Sequence, residues 1–215
     1  MKKEWLRYLE LKTQRPELFV DNGKIHIVDD EEIIAKFEEE TNRKIGVVYE
    51  SPYTMKVVDL VYEVPEKYFA YERSVPTIQK GAIVTVPIYQ DRVILLKQYR
   101  HCIRDYEFSF PRGFGEKDVS ALENAKKELR EEIGAEVEAV HFLGEVTPDS
   151  GVQSTVVAVY CCQISSYDPH LQEEGIENII EITFDELDQL ICDGKIRDGF
   201  TLSAMCLYER KYRRF

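Results

Sequence analysis

The sequence predicts an α+β chain, with helices on both sides of a mixed β-sheet in an α/β/α sandwich. From Ile45 to Tyr99, apolar residues recur with period two between the breaks at Pro52, Pro65, Pro76 and Gly81. A helical period then takes over, strand-like runs return, and two more helical patterns close the chain. Strands, one helix, strands and terminal helices in that order need a sheet covered on both faces. The alternation of βαβ units is absent, as are the glycine-rich dinucleotide fingerprint, the Walker loop and the G-x-S-x-G elbow.

The bulk chemistry narrows the function classes. The 215 residues allow one large domain, or one domain with a sizeable extension. A net charge of -12 disfavours nucleic acid and anionic membrane surfaces as partners, because both reward clustered Lys and Arg. An anionic small molecule remains compatible if local cations or a metal offset the field. Five cysteines without a C-x-x-C pair fit free thiols in a reducing compartment. The first residues, MKKEWLRYLELK, lack the apolar core of a signal peptide, and no run has the length of a membrane span, so the expected location is cytoplasmic.

Residues 1–45 read as a mixed helix/strand extension. Trp5, Leu6, Tyr8 and Leu9 have helical spacing, Pro16 interrupts that helix, and KIHIV at 24–28 alternates like a short strand. Asp30 to Thr41 is an amphipathic helix with Ile33, Ile34 and Phe37 on one side. The main domain is expected over 46–215. Its strands are placed at Ile45–Glu50, Met55–Glu63, Phe69–Glu72, Ala82–Tyr89 and Arg92–Tyr99, the last two joined by Gln90 and Asp91 as a two-residue hairpin. Ile83, Val84, Val86, Ile88 and Val93 to Leu96 are the expected core. Further strands fall at Val137–Glu145, Ser154–Ile164 and Ile179–Thr183. Thr183-x-x-Glu186 is a capping box that starts a helix ending near Gly194, and a last helix covers Thr201 to Tyr212 with Leu202, Met205, Cys206 and Tyr208 inward.

The chemistry concentrates in Pro111 to Ala135, PRGFGEKDVSALENAKKELREEIGA. A strand-like segment ending at Pro111 passes through a glycine-containing loop into a helix carrying Glu128, Glu131 and Glu132. These three lie within about 100° of helical arc. Like charges at i, i+3 and i+4 repel, so they require open solvent or a cation. Lys126, Lys127 and Arg130 offer ordinary surface counterions. Leu122, Ala125, Leu129 and Ile133 form the core stripe, and Glu128 and Glu132 flank it near the sheet. Carboxylates at such a seam are costly unless paired, and a hard divalent cation with oxygen ligands would relieve all three.

The segment resembles the Nudix box. Gly113, Glu128, Leu129, Glu131, Glu132 and Gly134 match its glycine, glutamate and aliphatic positions at the expected spacings. Val119 stands where the pattern has its first glutamate, Lys127 where it has arginine, and Ala135 at the last aliphatic position. Outside the box, Val84–Arg100 ending in KQYR, the FPRG turn and GKIRDGFTLSA at 194–204 resemble the ADP-ribose pyrophosphatase branch, so the likeness covers about Ile83 to Tyr208. That branch often has glutamate two residues before the proline of the turn. Here Ser109 holds that place and Glu107 lies two residues earlier, which keeps other sugar nucleotides open as substrates.

The resemblance implies a Nudix-type sandwich and hydrolysis of a nucleoside diphosphate linked to another moiety, with Mg²⁺, or Mn²⁺, as cofactor. ADP-ribose, cleaved to AMP and ribose 5-phosphate, is the first candidate. Glu128, Glu131, Glu132 and the carbonyl of Arg112 are the implied metal ligands, and Arg100 and Gly113 the substrate contacts. The base is sought on an acidic loop after the box, Glu174 first, then Glu177 and Glu173; Glu128 shares the catalytic role. The branch often forms homodimers through N-terminal strands, a role that falls here on residues 46–80. Val119 and Lys127 also motivate a competing reading, a Nudix-fold module that binds a nucleotide as a regulator. His101, His141 and His170 have no partner at ligand spacing and read as structural or exposed.

Overall fold

The structure is a computed structural model that describes residues 2–170 and 175–212. The chain divides into two compact units, Met1–Thr77 with Asp149–Thr155, and Ile78–Pro148 with Val156–Phe215.

The first unit contains α1 (Lys3–Gln14), a 3-10 turn (Pro16–Phe19), β1 (His26–Ile27), α2 (Glu31–Thr41), β2 (Gly46–Glu50), β3 (Thr54–Tyr62) and β4 (Tyr68–Pro76). Pro16 ends α1 as expected and opens the turn, where its missing N–H costs nothing. Asp30 caps α2 by accepting from the amides of Glu32 and Ile33. β3 pairs antiparallel with β4 along its whole length and with β2 and β1. Trp5, Tyr8, Leu11 and Ile34 pack in one core with Met55, Val57, Leu60 and Val75. That shared core moves the expected boundary. The division falls at Thr77/Ile78 rather than after residue 45, because the strands of 46–76 bury apolar side chains with the helices before them.

The second unit contains β5 (Ile83–Tyr89), β6 (Arg92–Arg100), β7 (Asp105–Ser109), β8 (Arg112–Gly113), α3 (Ala121–Ile133), β9 (Glu136–Val146), β10 (Val157–Ser166), β11 (Ile176–Ile182), α4 (Phe184–Cys192) and α5 (Gly199–Tyr212). Its sheet runs β11-β6-β5-β10-β9, with β7 against β6 and β8 against β5. β5 and β10 are parallel and the other pairs antiparallel, so the sheet is mixed. Alternation along the strands sorts the two faces. Ile83, Ile94, Leu96 and Cys162 pack with Ala125, Leu129 and Ile133 of α3. Val84, Val86, Leu95 and Cys161 pack with Leu187 of α4 and Ala204 and Met205 of α5. The sheet is therefore covered on both faces, as expected, and each fully buried aliphatic side chain contributes about 1.5–3 kcal/mol.

Two expected core positions face outward. The stripe of α3 runs at i+4 spacing through Ala121, Ala125, Leu129 and Ile133, which leaves Leu122 exposed. Along α5, Ala204 and Met205 take the inward side and Cys206 is exposed.

The hairpin of β5 and β6 positions the site. Gln90 and Asp91 both have positive φ, 47° and 63°, the conformation that a two-residue hairpin loop demands. The strands pair only at Ile88↔Val93 and Tyr89↔Arg92. Beyond that they splay, and the returning chain fills the wedge. β7 pairs with β6 from Leu96↔Ser109 to Arg100↔Asp105, and β8 pairs with β5 at Ile83↔Gly113 and Val84↔Arg112. Phe110 and Pro111 thus lie between two strands of the central sheet.

Candidate active site

The site is built where β8 meets α3. Ser120 starts α3 with a complete capping box, its hydroxyl accepting from the amide of Glu123 while the Glu123 carboxylate takes the Ser120 amide. Gly134, at φ 61°, stops the helix in the left-handed region. Between these ends Glu128 and Glu132 project one turn apart onto the backbone of β8. Glu132 is 3% exposed, and its Oε2 accepts the Arg112 amide at 3.0 Å. The Glu128 carboxylate lies against the Cα of Gly113, and a Cβ there would overlap its Oε1. Gly113 is therefore needed for a close approach. The two carboxylates straddle consecutive peptide units of one short strand.

Glu131 takes a different position. It is exposed, and Lys127 Nζ reaches it at 3.1 Å while also binding Glu116 at 2.5 Å. These hydrogen bonds, Glu116 first and Glu131 second, push the Lys127 pKa up. The lysine that replaces the box arginine thus joins the loop to the helix, and Glu116 serves as its carboxylate partner where Val119 has none to offer. Buried Asn124 adds a second tie, its Nδ2 donating to the carbonyls of Gly81 and Phe114, both at 2.8 Å.

Two arginines stand beside the carboxylates. Arg112 Nη1 donates to Asp198 Oδ1 at 2.6 Å, and its guanidinium lies 4.9 Å from the centre of the Phe200 ring. Arg100, at the end of β6, donates through Nη2 to Ser109 Oγ at 3.0 Å; its buried Nε has no hydrogen-bond partner among the described residues. Burial lowers the Arg100 pKa, and the like charge of Arg112 lowers it further, against the pull of Asp198, Glu132 and Glu107. Ser109 is thus the hydroxyl that receives Arg100, and the carboxylate of Glu107 contributes through its field.

The donor set suits a hard divalent cation in kind, since every candidate ligand is an oxygen and the glycine leaves room for a carboxylate against the main chain. Among the described residues, no group of three or more His, Cys, Asp or Glu side chains converges on one point. Glu128 and Glu132 are brought together on β8, and Glu131 is drawn toward Lys127 instead.

The candidate bases divide. Glu173 and Glu174 lie outside the described residues. Glu177 is part of β11 rather than of a loop, at the register shift between Ile176 and Asn178, and it is ion-paired with Lys97. His101, His141 and His170 are all exposed. Residues that sequence reasoning passed over include Asn124, Glu116 and Asp198. Asp198-x-x-Thr201 before an apolar helical pattern is a readable N-cap signal, and the structure bears it out with Asp198 Oδ2 accepting the Thr201 amide at 2.9 Å.

Comparison with known proteins places the chain in a family. A NUDIX domain model matches residues 79–201, more than half of the chain. The ADP compounds hydrolase NudE of Escherichia coli (strain K12) is 33% identical over 95 residues, 44% of this chain and 50% of that protein. The methanol dehydrogenase activator of Bacillus methanolicus is 27% identical over 129 residues, 58% of this chain and 70% of that protein. The match thus spans half of the first relative's length. The crystal structure of an ADP compounds hydrolase shares the fold, with a TM-score of 0.66 at 21% identity over 79% of this chain and 92% of the other. The box, the mixed sheet that splays to admit it and the domain match lead to one conclusion: the chain belongs to the NUDIX-domain family.

Proposed function

We propose that the protein hydrolyses the pyrophosphate bond of a nucleoside diphosphate linked to another moiety, with ADP-ribose, giving AMP and ribose 5-phosphate, as the first substrate to test. The observation that carries this reading is the seating of Glu128 and Glu132 on consecutive residues of β8. The family and the printed activity of the Escherichia coli relative support it.

In this reading Glu128, Glu131, Glu132 and the Arg112 carbonyl would hold Mg²⁺, with Mn²⁺ able to replace it. A divalent ion so held supplies charge neutralisation of phosphoryl oxygens and lowers the pKa of a bound water. The chain's own residues do the rest. The Arg112 amide orients Glu132, and the bare Cα of Gly113 admits Glu128. Arg100, held at Nη2 by Ser109, would contact a phosphate oxygen, a partner matched to guanidinium geometry. A carboxylate must take the proton of the attacking water. Glu174 is the first candidate, with Glu173 and Glu177 behind it; Glu177 would first have to leave Lys97. The protein is further proposed to be cytoplasmic and homodimeric through strands of residues 46–80, which light scattering would check. No helix among the described residues is long and apolar enough to cross a membrane.

The test is AMP release from ADP-ribose by the full chain with Mg²⁺. Glu132→Gln should lower kcat more than about 100-fold, since loss of a mere supporting partner of a metal ligand already costs about 10–100-fold. Failure to turn over any nucleoside diphosphate derivative with Mg²⁺ or Mn²⁺ refutes the proposal. Two observations favour a second reading, a regulatory nucleotide-binding module: Glu131 is exposed and engaged by Lys127, and one relative is named as an activator of another enzyme. Calorimetry that shows tight binding without hydrolysis would select it.

A further inference from the structure

The segment Phe110–Arg112 is held at every residue by groups outside the box. The Phe110 amide donates to Thr201 Oγ1 at 2.9 Å, and Thr201 is completely buried. The Thr201 hydroxyl in turn donates to Asp198 Oδ2 at 2.8 Å, so this single oxygen is acceptor and donor at once. The other oxygen of Asp198 takes Arg112 Nη1 at 2.6 Å, which closes the ring back onto the same segment. Between them, the Pro111 carbonyl accepts from the amide and hydroxyl of Thr85 at 3.0 and 3.1 Å. Asp198 is 7% exposed, so the ring is shielded from water. The backbone so fixed is the one whose next amide, that of Arg112, binds Glu132, and whose next residue, Gly113, receives Glu128.

We infer that Asp198 and Thr201, at the start of α5, are positioning residues for the divalent-cation site: they set the place of the β8 backbone and, through it, the separation of Glu128 and Glu132. Neither is a candidate ligand or touches the scissile bond. The hydroxyl is the junction, because removing it releases the Phe110 amide and one hydrogen bond of the Asp198 carboxylate together. Slack in such an outer ring passes directly into ligand geometry.

This inference rests on the cation reading proposed above. Mn²⁺ binding to the full chain without nucleotide, followed by electron paramagnetic resonance, separates the two. Thr201→Val should raise the Mn²⁺ dissociation constant about 10- to 100-fold at a temperature well below unfolding. Thr201→Ser, which keeps both hydrogen bonds, should return it to within about threefold of the unaltered protein. Should Thr201→Val fail to fold, Asp198→Glu retains the charge but displaces the carboxylate, and the same weakening is expected. A folded Thr201→Val or Asp198→Glu protein with unaltered Mn²⁺ affinity overturns the inference and leaves the site intact. An unaltered protein that binds no Mn²⁺ removes the site, and the inference with it.

Discussion

Each of the two units contains a buried aspartate held by an arginine at 2.6 Å, and the two pairs are built to different ends. In the first unit, Arg73 grips Asp59 with Nε and Nη2, gives Nη1 to the Leu18 carbonyl and lies over the Phe19 ring. Tyr8 adds its hydroxyl to Asp59 at 2.5 Å, and burial pushes the Tyr8 pKa far above its ordinary value, with the Asp59 charge adding to the effect. That cluster is closed on itself. In the second unit, Arg112 holds Asp198 with one nitrogen, and a second arginine stands beside it with a buried N–H that finds no partner among the described residues. Burial and the like charge of Arg112 lower the Arg100 pKa, and the fields of Asp198, Glu132 and Glu107 oppose them. A closed pair stabilises a core. The second cluster is not closed in this way, since one buried N–H of Arg100 has no partner among the described residues.

The largest expected effect breaks the closed cluster. Asp59→Ala leaves the Arg73 guanidinium half-buried without its counter-charge, and should cost about 3–5 kcal/mol in denaturant unfolding. Arg100→Ala, in contrast, strands no buried charge and should cost less stability, about 1–3 kcal/mol for the unpaired Ser109 hydroxyl, while acting mainly on substrate. Loss of a charge-assisted hydrogen bond of about 1.5–3 kcal/mol predicts a fall in kcat/KM for ADP-ribose of about 10- to 150-fold, with Arg100→Lys between. Equal stability losses in the two variants would erase the distinction drawn between the clusters.

The smallest effect concerns buried groups with no counter-charge at all. Burial favours the neutral thiol, which raises Cys161 to about 11 and Cys162 to about 12. Each thiol is therefore protonated at pH 8 and forms thiolate only as pH rises toward those values. Cys102, Cys192 and Cys206 are exposed. An aromatic disulfide reagent at pH 8 should titrate those three thiols promptly and reach Cys161 and Cys162 only after unfolding. Prompt reaction of all five would mean that the sheet's two faces are less well sealed than their packing implies.

Much of this molecule is legible in its sequence because the relevant physics is local. The period-two run over Ile83–Leu96 marked the buried strands, Gln90–Asp91 marked the hairpin, Thr183-x-x-Glu186 marked the start of α4, and the spacing of Glu128, Glu131 and Glu132 marked the acidic helix face. Helix and strand periods, caps and tight turns depend on neighbours a few residues away. The unit boundary was not legible, because whether residues 46–76 share a core with residues 3–41 depends on how those strands pack in space.

The same division runs through the site. The sequence by itself determined which carboxylates share a face of α3 and that a glycine-bearing strand precedes them. Only tertiary structure decided that β5 and β6 splay to admit Phe110–Arg112, that Glu132 takes the Arg112 amide, and that Asp198 and Thr201, at the start of α5, close around that segment. Those contacts join residues 20 to 91 positions apart. No periodicity encodes such separations, because they exist only once the hydrophobic faces of the sheet have been covered and the polar groups between them must find partners.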